Sequence, residues 1–338
     1  MADDFHPSER ESLLDDGERL FYEGRYDDAL SRFEKAIALD EDDADAHYLK
    51  GRALFYMGRD EESLSAFDRA LDVDPDFGAA IVHKAELMVR AFGWSDEALD
   101  LLDQAEESGL SKDDKVDASL VRGLATMEKG DFREAIEYLN RAVRGDVDWV
   151  EARRERGVCR FYLWRFQDAA TDLEAALGND GGDAEAHYYL AMCLERLGKS
   201  SEADEHYRSA AEIDPNVFHL PMRMPREEFE RVAEQAMAEL PEEFRVRFDN
   251  LTVMVEDFPA PDQDVLPDLL GLFVGTAMPD RPGAVYIEPA RVLLFQKNLE
   301  RSAADLDTLK DEIGKTVLHE VGHYFGLNED DMVRLDIH

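Results

Sequence analysis

The stretch "GRYDDALSRFEKAIALDEDD", residues 24–43, opens on Gly24 and then places Ala29, Phe33 and Ala36. The same frame returns in "GRDEESLSAFDRALDVDPDF" (58–77), "GDFREAIEYLNRAVRGDVDW" (130–149) and "GKSSEADEHYRSAAEIDPNV" (198–217). "FGWSDEALDLLDQA" (92–105) and "WRFQDAATDLEAA" (164–176) also fit it. A column of small residues runs Ala29, Ser63, Ala98, Ala135, Ala169 and Ala203, at successive spacings of 34, 35, 37, 34 and 34. Four residues on stands a bulky column: Phe33, Phe67, Leu102, Leu139, Leu173 and Tyr207. Three further on, alanine is unbroken at Ala36, Ala70, Ala105, Ala142, Ala176 and Ala210. Such a period predicts one pair of antiparallel helices per repeat. Small side chains fall where two helix backbones approach, and a bulky one fills the gap between pairs. Glycine near each inter-helix turn supplies a C-cap, and Pro75 and Pro215 mark repeat ends.

Six in-register copies over residues 10–217 resemble the tetratricopeptide repeat family. Ser63 departs from the usual alanine, the first copy has a poor first helix, and the third carries extra residues in "EESGLSKDD". The resemblance implies an all-α superhelical solenoid whose concave groove binds a peptide or a helix. Groove-facing positions should include Tyr48, Arg52, Phe55 and Tyr56, and further along Met127, Arg154, Phe161, Tyr162, Tyr188, Met192 and Arg196. Aromatics mixed with arginine suit a protein segment with apolar anchors and some acidic character. The alternative is that several of these side chains only pack between repeats. The Lys/Asn set with which some family members clamp a C-terminal carboxylate is not evident. His47 and His187 share one repeat position and read as structural. Cys159 and Cys193 also share one, in neighbouring first helices, and read as buried packing residues too far apart to bridge.

The formal net charge of −40 over 338 residues excludes ordinary nucleic-acid binding, because phosphates would be repelled. It equally disfavours docking on an anionic membrane surface. Such a charge keeps a protein soluble, in a salty cytoplasm for example, or attracts a basic partner. With 44% hydrophobic and 9% aromatic residues, the chain can still fill real cores. The N-terminal "MADDFHPSERESLLDDGERL" has no apolar run and does not read as a signal peptide. "LPDLLGLFVGTAM" (266–278) is too short to span a bilayer. Two cysteines are too few for a disulfide framework, and the cytoplasm is the expected compartment.

After Pro215 the period stops, and "NVFHLPMRMP" (216–225) reads as a connector, with residues 218–225 as the linker proper. "REEFERVAEQAMAELPEEF" then carries a helical stripe ended by Pro241. "LTVMVEDFP" (251–259), "LLGLFVGTA" (269–277) and "GAVYIEPARVLLFQ" (283–296) read as strands, broken by turns at "PDRPG" and Pro289. Residues 302–326 show helical spacing throughout, with Gly326 as a C-cap, and Asn328 caps a last short helix. Residues 226–338 are therefore expected to form a compact α+β domain.

Its last long helix carries "TVLHEVGHYFGLNEDDM" (316–332). His319 and His323 are i, i+4 neighbours, so both imidazoles project from one helix face toward one ion. Zinc accepts neutral imidazole nitrogens, and a hydrolytic site needs three protein ligands and an open position. Glu320, beside the first histidine, can take a proton from an attacking water and pass it to a leaving amine. Gly326 lets the chain turn back, so Glu329 is a candidate third ligand. Asp330 or a distant residue is the fallback. The other reading leaves Glu329, Asp330 and Asp331 in the first turn of the last helix, stabilised by its dipole.

From "EEFERVAEQAMAELPEEF" through "LHEVGHYFGLNEDDM", residues 226–338 look like the small bacterial zincin-like metallopeptidase family. The resemblance implies a minimal zincin fold with His319 and His323 as ligands and Glu320 as catalyst. Members usually have Asp where this chain has Glu329. The expected activity is a zinc-dependent peptidase whose repeats recruit a protein substrate or partner. The alternatives are an interaction adaptor with an idle zincin-like domain, or a zinc hydrolase acting on a non-peptide amide.

Overall fold

A computed structural model describes residues 9–146, 149–240, 242–246, 251–261, 265–277 and 289–334. The chain divides into two compact units, Met1–Cys159 and Arg160–His338.

The first unit is built from helix pairs. These are α1 (Glu9–Tyr22) with α2 (Tyr26–Leu39), α3 (Ala44–Tyr56) with α4 (Asp60–Val73), α5 (Gly78–Phe92) with α6 (Ser95–Ser108), and α7 (Lys112–Glu128) with α8 (Phe132–Gly145). Helix α9 (Val150–Tyr162) contains the division between the units. The period accounts for the packing. Ala29, Ser63, Ala98 and Ala135 are completely buried, as are Phe33, Phe67, Leu102 and Leu139. Serine is accepted at position 63 because its hydroxyl donates to the Gly51 carbonyl at 2.8 Å. Glycines in the first helices leave room for the bulky column: a Cβ at Gly17 would sit 2.4 Å from the Phe33 ring, and one at Gly51 2.7 Å from Phe67. Gly51→Val should accordingly destabilise the first unit by about 2 kcal/mol or more, since neither ring nor backbone has space to yield. A denaturant titration that shows an unchanged midpoint would contradict this packing.

The turn of each pair needs a left-handed residue, which glycine provides at Gly24, Gly58, Gly93, Gly130 and Gly198. In the fifth copy Trp164 takes that conformation instead, at φ 62°. The extra length of the third copy is taken up by α7, which runs 17 residues against 13 in α3 and α9 and begins where Ser111 accepts from the Asp114 amide at 3.1 Å. His47 makes the expected structural contact, to the Glu41 carbonyl at 3.0 Å.

The second unit begins with the end of α9 and continues through α10 (Phe166–Asn179), α11 (Ala184–Arg196) and α12 (Ser200–Ile213). Phe161, Leu173, Cys193, Ala203 and Tyr207 form the core of these helices, and each is fully buried. His187 repeats the contact of His47, to the Gly181 carbonyl at 3.3 Å. Both cysteines are free and buried.

The connector leads to α13 (Arg226–Glu239), a short α14 (Glu242–Arg245) and, among the described residues, three strands, β1 (Leu251–Glu256), β2 (Gly271–Val274) and β3 (Ala290–Phe295). Strand order is β1-β3-β2. β1 runs parallel to β3, with Leu251 opposite Ala290, and β2 runs antiparallel, with Gly271 opposite Leu294. Strand expectations for residues 278–288, including the turn at "PDRPG", lie outside the described residues. The sheet is covered by α13 and α16 (Leu306–Tyr324), and Phe229, Val292, Leu294, Ile313 and Val317 are completely buried between them.

Some boundaries differ from the sequence reading. Strand β3 stops at Phe295, and Gln296, read as its last residue, instead opens helix α15 (Gln296–Ser302), an element the sequence reading did not contain. The helix expected from residue 302 starts only at Leu306, because Asp305 accepts from the Thr308 amide at 2.8 Å and caps it there.

Helix α15 presents polar side chains to a buried cluster. Glu300, fully buried, accepts from the Met224 amide (3.0 Å), Gln296 Nε2 (2.8 Å), Lys297 Nζ (2.9 Å) and Arg223 (3.1 Å). Burial alone would raise its carboxyl pKa; this ring of donors outweighs that and holds it below the ordinary value. Arg223 also donates to Glu195 at 2.6 Å, and Glu195 accepts from Tyr207 at 2.7 Å and lies 3.5 Å from Arg301. The last repeat, the connector and α15 therefore share one hydrogen-bonded core. Among the described residues, no helix is long and apolar enough to cross a membrane.

Candidate metal centre

Helix α16 fixes the first part of the site. Its i, i+4 spacing sets the rings of His319 and His323 with centroids 5.0 Å apart, at 81° to each other. The orientation of His323 is held further: its Nδ1 donates to the Leu327 carbonyl at 3.2 Å, which leaves Nε2 as the free lone pair. The helix ends as expected at Gly326, whose φ of 82° turns the chain back, while the Leu327 amide bonds the Gly322 carbonyl at 3.1 Å.

Helix α17 (Glu329–Arg334) brings the third group. Asn328 accepts from the Asp331 amide at 2.9 Å and caps it. Met332 has no exposed surface and anchors this helix against α16. Gly322 makes that contact: a Cβ there would meet Met332 Sδ at 2.9 Å. Close approach of α16 to the sheet is made instead by Gly271 on β2. A Cβ at Gly271 would lie 2.5 Å from Thr316 and 3.1 Å from Glu320.

The result is convergence. Glu329 Oε1 lies 3.3 Å from His323 Nε2 and 3.7 Å from His319 Nε2. The ligand atoms of His319, His323 and Glu329 all lie within 4.8 Å of one another. A tetrahedral ion bound at about 2.05 Å holds its ligands roughly 3.3 Å apart, so this donor set fits zinc. Of the sequence alternatives, Glu329 is the acid brought to the histidines, and it also occupies the first turn of α17. Its place in that turn does not keep its carboxylate from the histidines. Glu329→Gln should weaken zinc binding by more than the ~10–100-fold typical of losing a group behind a ligand. Calorimetric titration of the metal-free chain would measure it, and unchanged affinity would remove Glu329 from the ligand set.

Glu320 is 6% exposed and faces a cleft of about 700 Å³ whose walls include Leu269, Gly271, Phe273 and the two histidines. Burial pushes its carboxyl up to about 7, opposed by the Phe273 backbone N–H and reinforced by the Glu329 charge. A carboxyl of this kind can both take and return a proton near neutral pH. A smaller recess of about 270 Å³ opens beside it, between Leu269–Gly271 and Thr316. Gly271, Phe273 and Met332 were not singled out in the sequence. Their sequence signal is slight: a glycine opening a strand and a lone apolar residue within an acidic turn.

The residues expected to bind a partner are distributed differently. Tyr56 is 56% exposed and stacks on Tyr26 at 5.4 Å. Arg52 lies over Phe21 at 4.7 Å, and Tyr48 packs on Phe77 at 5.0 Å, so both contribute to packing between repeats. Arg154 donates to Glu155 at 2.6 Å. Phe161 and Met192 are buried in the repeat core and do not face a groove. Tyr188 packs on Phe218 at 5.0 Å, and Tyr162 donates to Asp268 at 3.0 Å. Both are engaged within the second unit.

Helix pairs with this repeat, and a helix-borne histidine pair beside a small sheet, define a repeat protein carrying a zincin-type domain. The chain belongs to the tetratricopeptide repeat family, whose model matches residues 14–78, 91–148 and 157–217. Residues 248–338 match the zincin-like metallopeptidase model. Human DnaJ homolog subfamily C member 3 is 26% identical over 216 residues, covering 60% of this chain and 43% of that protein. The chain thus spans less than half the length of the curated relative it matches. Among solved structures, the APC/C hetero-tetramer Cut9–Hcn1 aligns with a TM-score of 0.58 at 17% identity, over 63% of this chain and 42% of that one. PilW, a type IV pilus biogenesis factor, aligns with a TM-score of 0.54 at 16% identity, over 62% of this chain and 96% of that one. These likenesses show the repeat fold.

Proposed function

We propose that the protein is a cytoplasmic zinc-dependent peptidase whose repeats recruit a protein substrate or partner. The observation that carries this reading is the convergence of His319, His323 and Glu329 within 4.8 Å beside a buried Glu320. Those three side chains would hold the zinc. When bound, the ion supplies Lewis-acid polarisation of a carbonyl and lowers the pKa of water toward about 7. Glu320 takes the proton of the attacking water and returns it to the departing amine. The Phe273 N–H holds the Glu320 carboxylate in place, and the Leu327 carbonyl fixes the His323 ring. The repeats raise the local concentration of a bound protein near the site, so modest intrinsic turnover is sufficient.

Metal removal tests the reading. Casein or a peptide library should be cleaved by the full chain, cleavage should cease after chelation, and added zinc should restore it. A second reading, an adaptor with an idle site, draws on the curated relative, which matches through 216 residues and carries no peptidase name. Stoichiometric zinc by elemental analysis with no cleavage of any library member would favour that reading.

A further inference from the structure

Residues 266–270, "LPDLL", lead directly into β2, the strand that walls the cleft. The last two repeats hold this segment by side chains expected to face a partner. Tyr162 Oη donates to Asp268 at 3.0 Å. Arg196 donates to the Pro267 carbonyl, and its guanidinium lies 4.0 Å over the Phe258 ring. Trp164 (5.5 Å) and Phe166 (5.3 Å) also surround that guanidinium. Trp164 is the one non-glycine residue with positive φ among the described residues; the inter-helix turn requires that conformation, and its ring lies against Arg196. From the other side, buried Asn298 donates to the carbonyls of Pro267 (3.0 Å) and Leu269 (2.6 Å) and accepts from Arg301 at 2.6 Å.

The segment is thus clamped at three consecutive residues, two of them by the repeats. Downstream there is no slack. Gly271 touches Thr316 and Glu320 so closely that no Cβ fits, and the Phe273 N–H bonds the Glu320 carboxylate. A shift of a few tenths of an ångström at 268–270 must be passed to Glu320, because close-packed elements transmit displacement rather than absorb it.

We propose that Tyr162 and Arg196 are positioning residues for the hydrolytic site: they bind residues 266–270 in cis and thereby fix β2 against Glu320. The repeats are then part of the machinery, and this end of their surface is filled by the chain itself. The activity arm of this inference rests on the peptidase reading above; the tether does not.

The test uses the full chain and the variants Arg196→Ala, Arg196→Lys, Tyr162→Phe and Asp268→Asn. Hydrogen–deuterium exchange of residues 268–274 is followed beside peptide turnover and zinc content. Exchange of that segment should rise at least tenfold in Arg196→Ala and several-fold in Tyr162→Phe and Asp268→Asn, with β3 and α16 still protected. Turnover should fall about tenfold in kcat with KM and zinc content unchanged, and Arg196→Lys, which keeps the charge but not the fork, should recover only part of it. Unchanged exchange in 268–274 across Tyr162→Phe, which deletes the hydroxyl that meets Asp268 and Tyr189, and Asp268→Asn, which takes the charge out of that bond, overturns the proposal. So does a loss of turnover accompanied by loss of zinc. Raised exchange with no hydrolysis even in the parent chain removes the peptidase reading and leaves the tether standing.

Discussion

On the proposed peptidase reading, replacing Glu320 by Gln should leave zinc bound to the full chain and lower peptide hydrolysis by about 10²–10⁴-fold, the range associated with losing a positioned acid–base group. The substitution keeps the shape of a side chain that is 6% exposed and packed against Gly271, so the fold is retained. What it removes is the capacity to carry a proton. The candidate ligand atoms of His319, His323 and Glu329 are untouched, which separates loss of chemistry from loss of metal. Rate and zinc stoichiometry measured on one preparation decide the matter: equal rates in parent and variant would sink the assignment of Glu320.

The second large effect concerns stability. Glu300→Ala should cost about 3–5 kcal/mol, the usual penalty for deleting one partner of a buried ionic network. Four donors converge on this carboxylate, and the Met224 amide among them has no side chain to swing toward solvent. The folded-state pKa of Glu300 is depressed, so its contribution is complete above the unfolded value near 4.3 and is lost as pH falls through the folded value. Acid unfolding of the parent should therefore include this loss below about pH 4, and the variant should show a shallower acid limb. Chemical denaturation at pH 7 and pH 3 measures both. A variant as stable as the parent at neutral pH would mean that the cluster is incidental.

Much of this could be read in the chain because it is written in local spacing. The columns through Ala29, Phe33 and Ala36 and their later copies are all buried, and they report packing between helices adjacent in sequence. His319, His323 and Glu329 were likewise within reach, because one helix and one glycine turn set their positions. Two kinds of feature escaped. Helix α15 follows β3 without a break, and "RVLLFQ" offers no punctuation between Phe295 and Gln296. Nothing in the sequence marks its polar residues as buried, yet Glu300 and Asn298 are, by partners far away in sequence, Glu300 by Met224 76 positions earlier. Tyr162 and Arg196 fail for the same reason. Repeat position marks them as facing a groove, but the chain's own residues 267 and 268 meet them there. Nothing local to either residue announces it.

The hydrogen bond from Tyr162 to Asp268 spans 106 residues, whereas Ser63 reaches Gly51 across only 12. Contacts of short span form quickly, and those that close long loops form late. The early helix pairs should accordingly assemble while the cleft is still open chain, and a partly folded molecule should display repeats without an organised site. Under mild denaturant the order reverses. Hydrolysis should disappear at a concentration that leaves most of the helical signal intact, and on dilution it should return after that signal does.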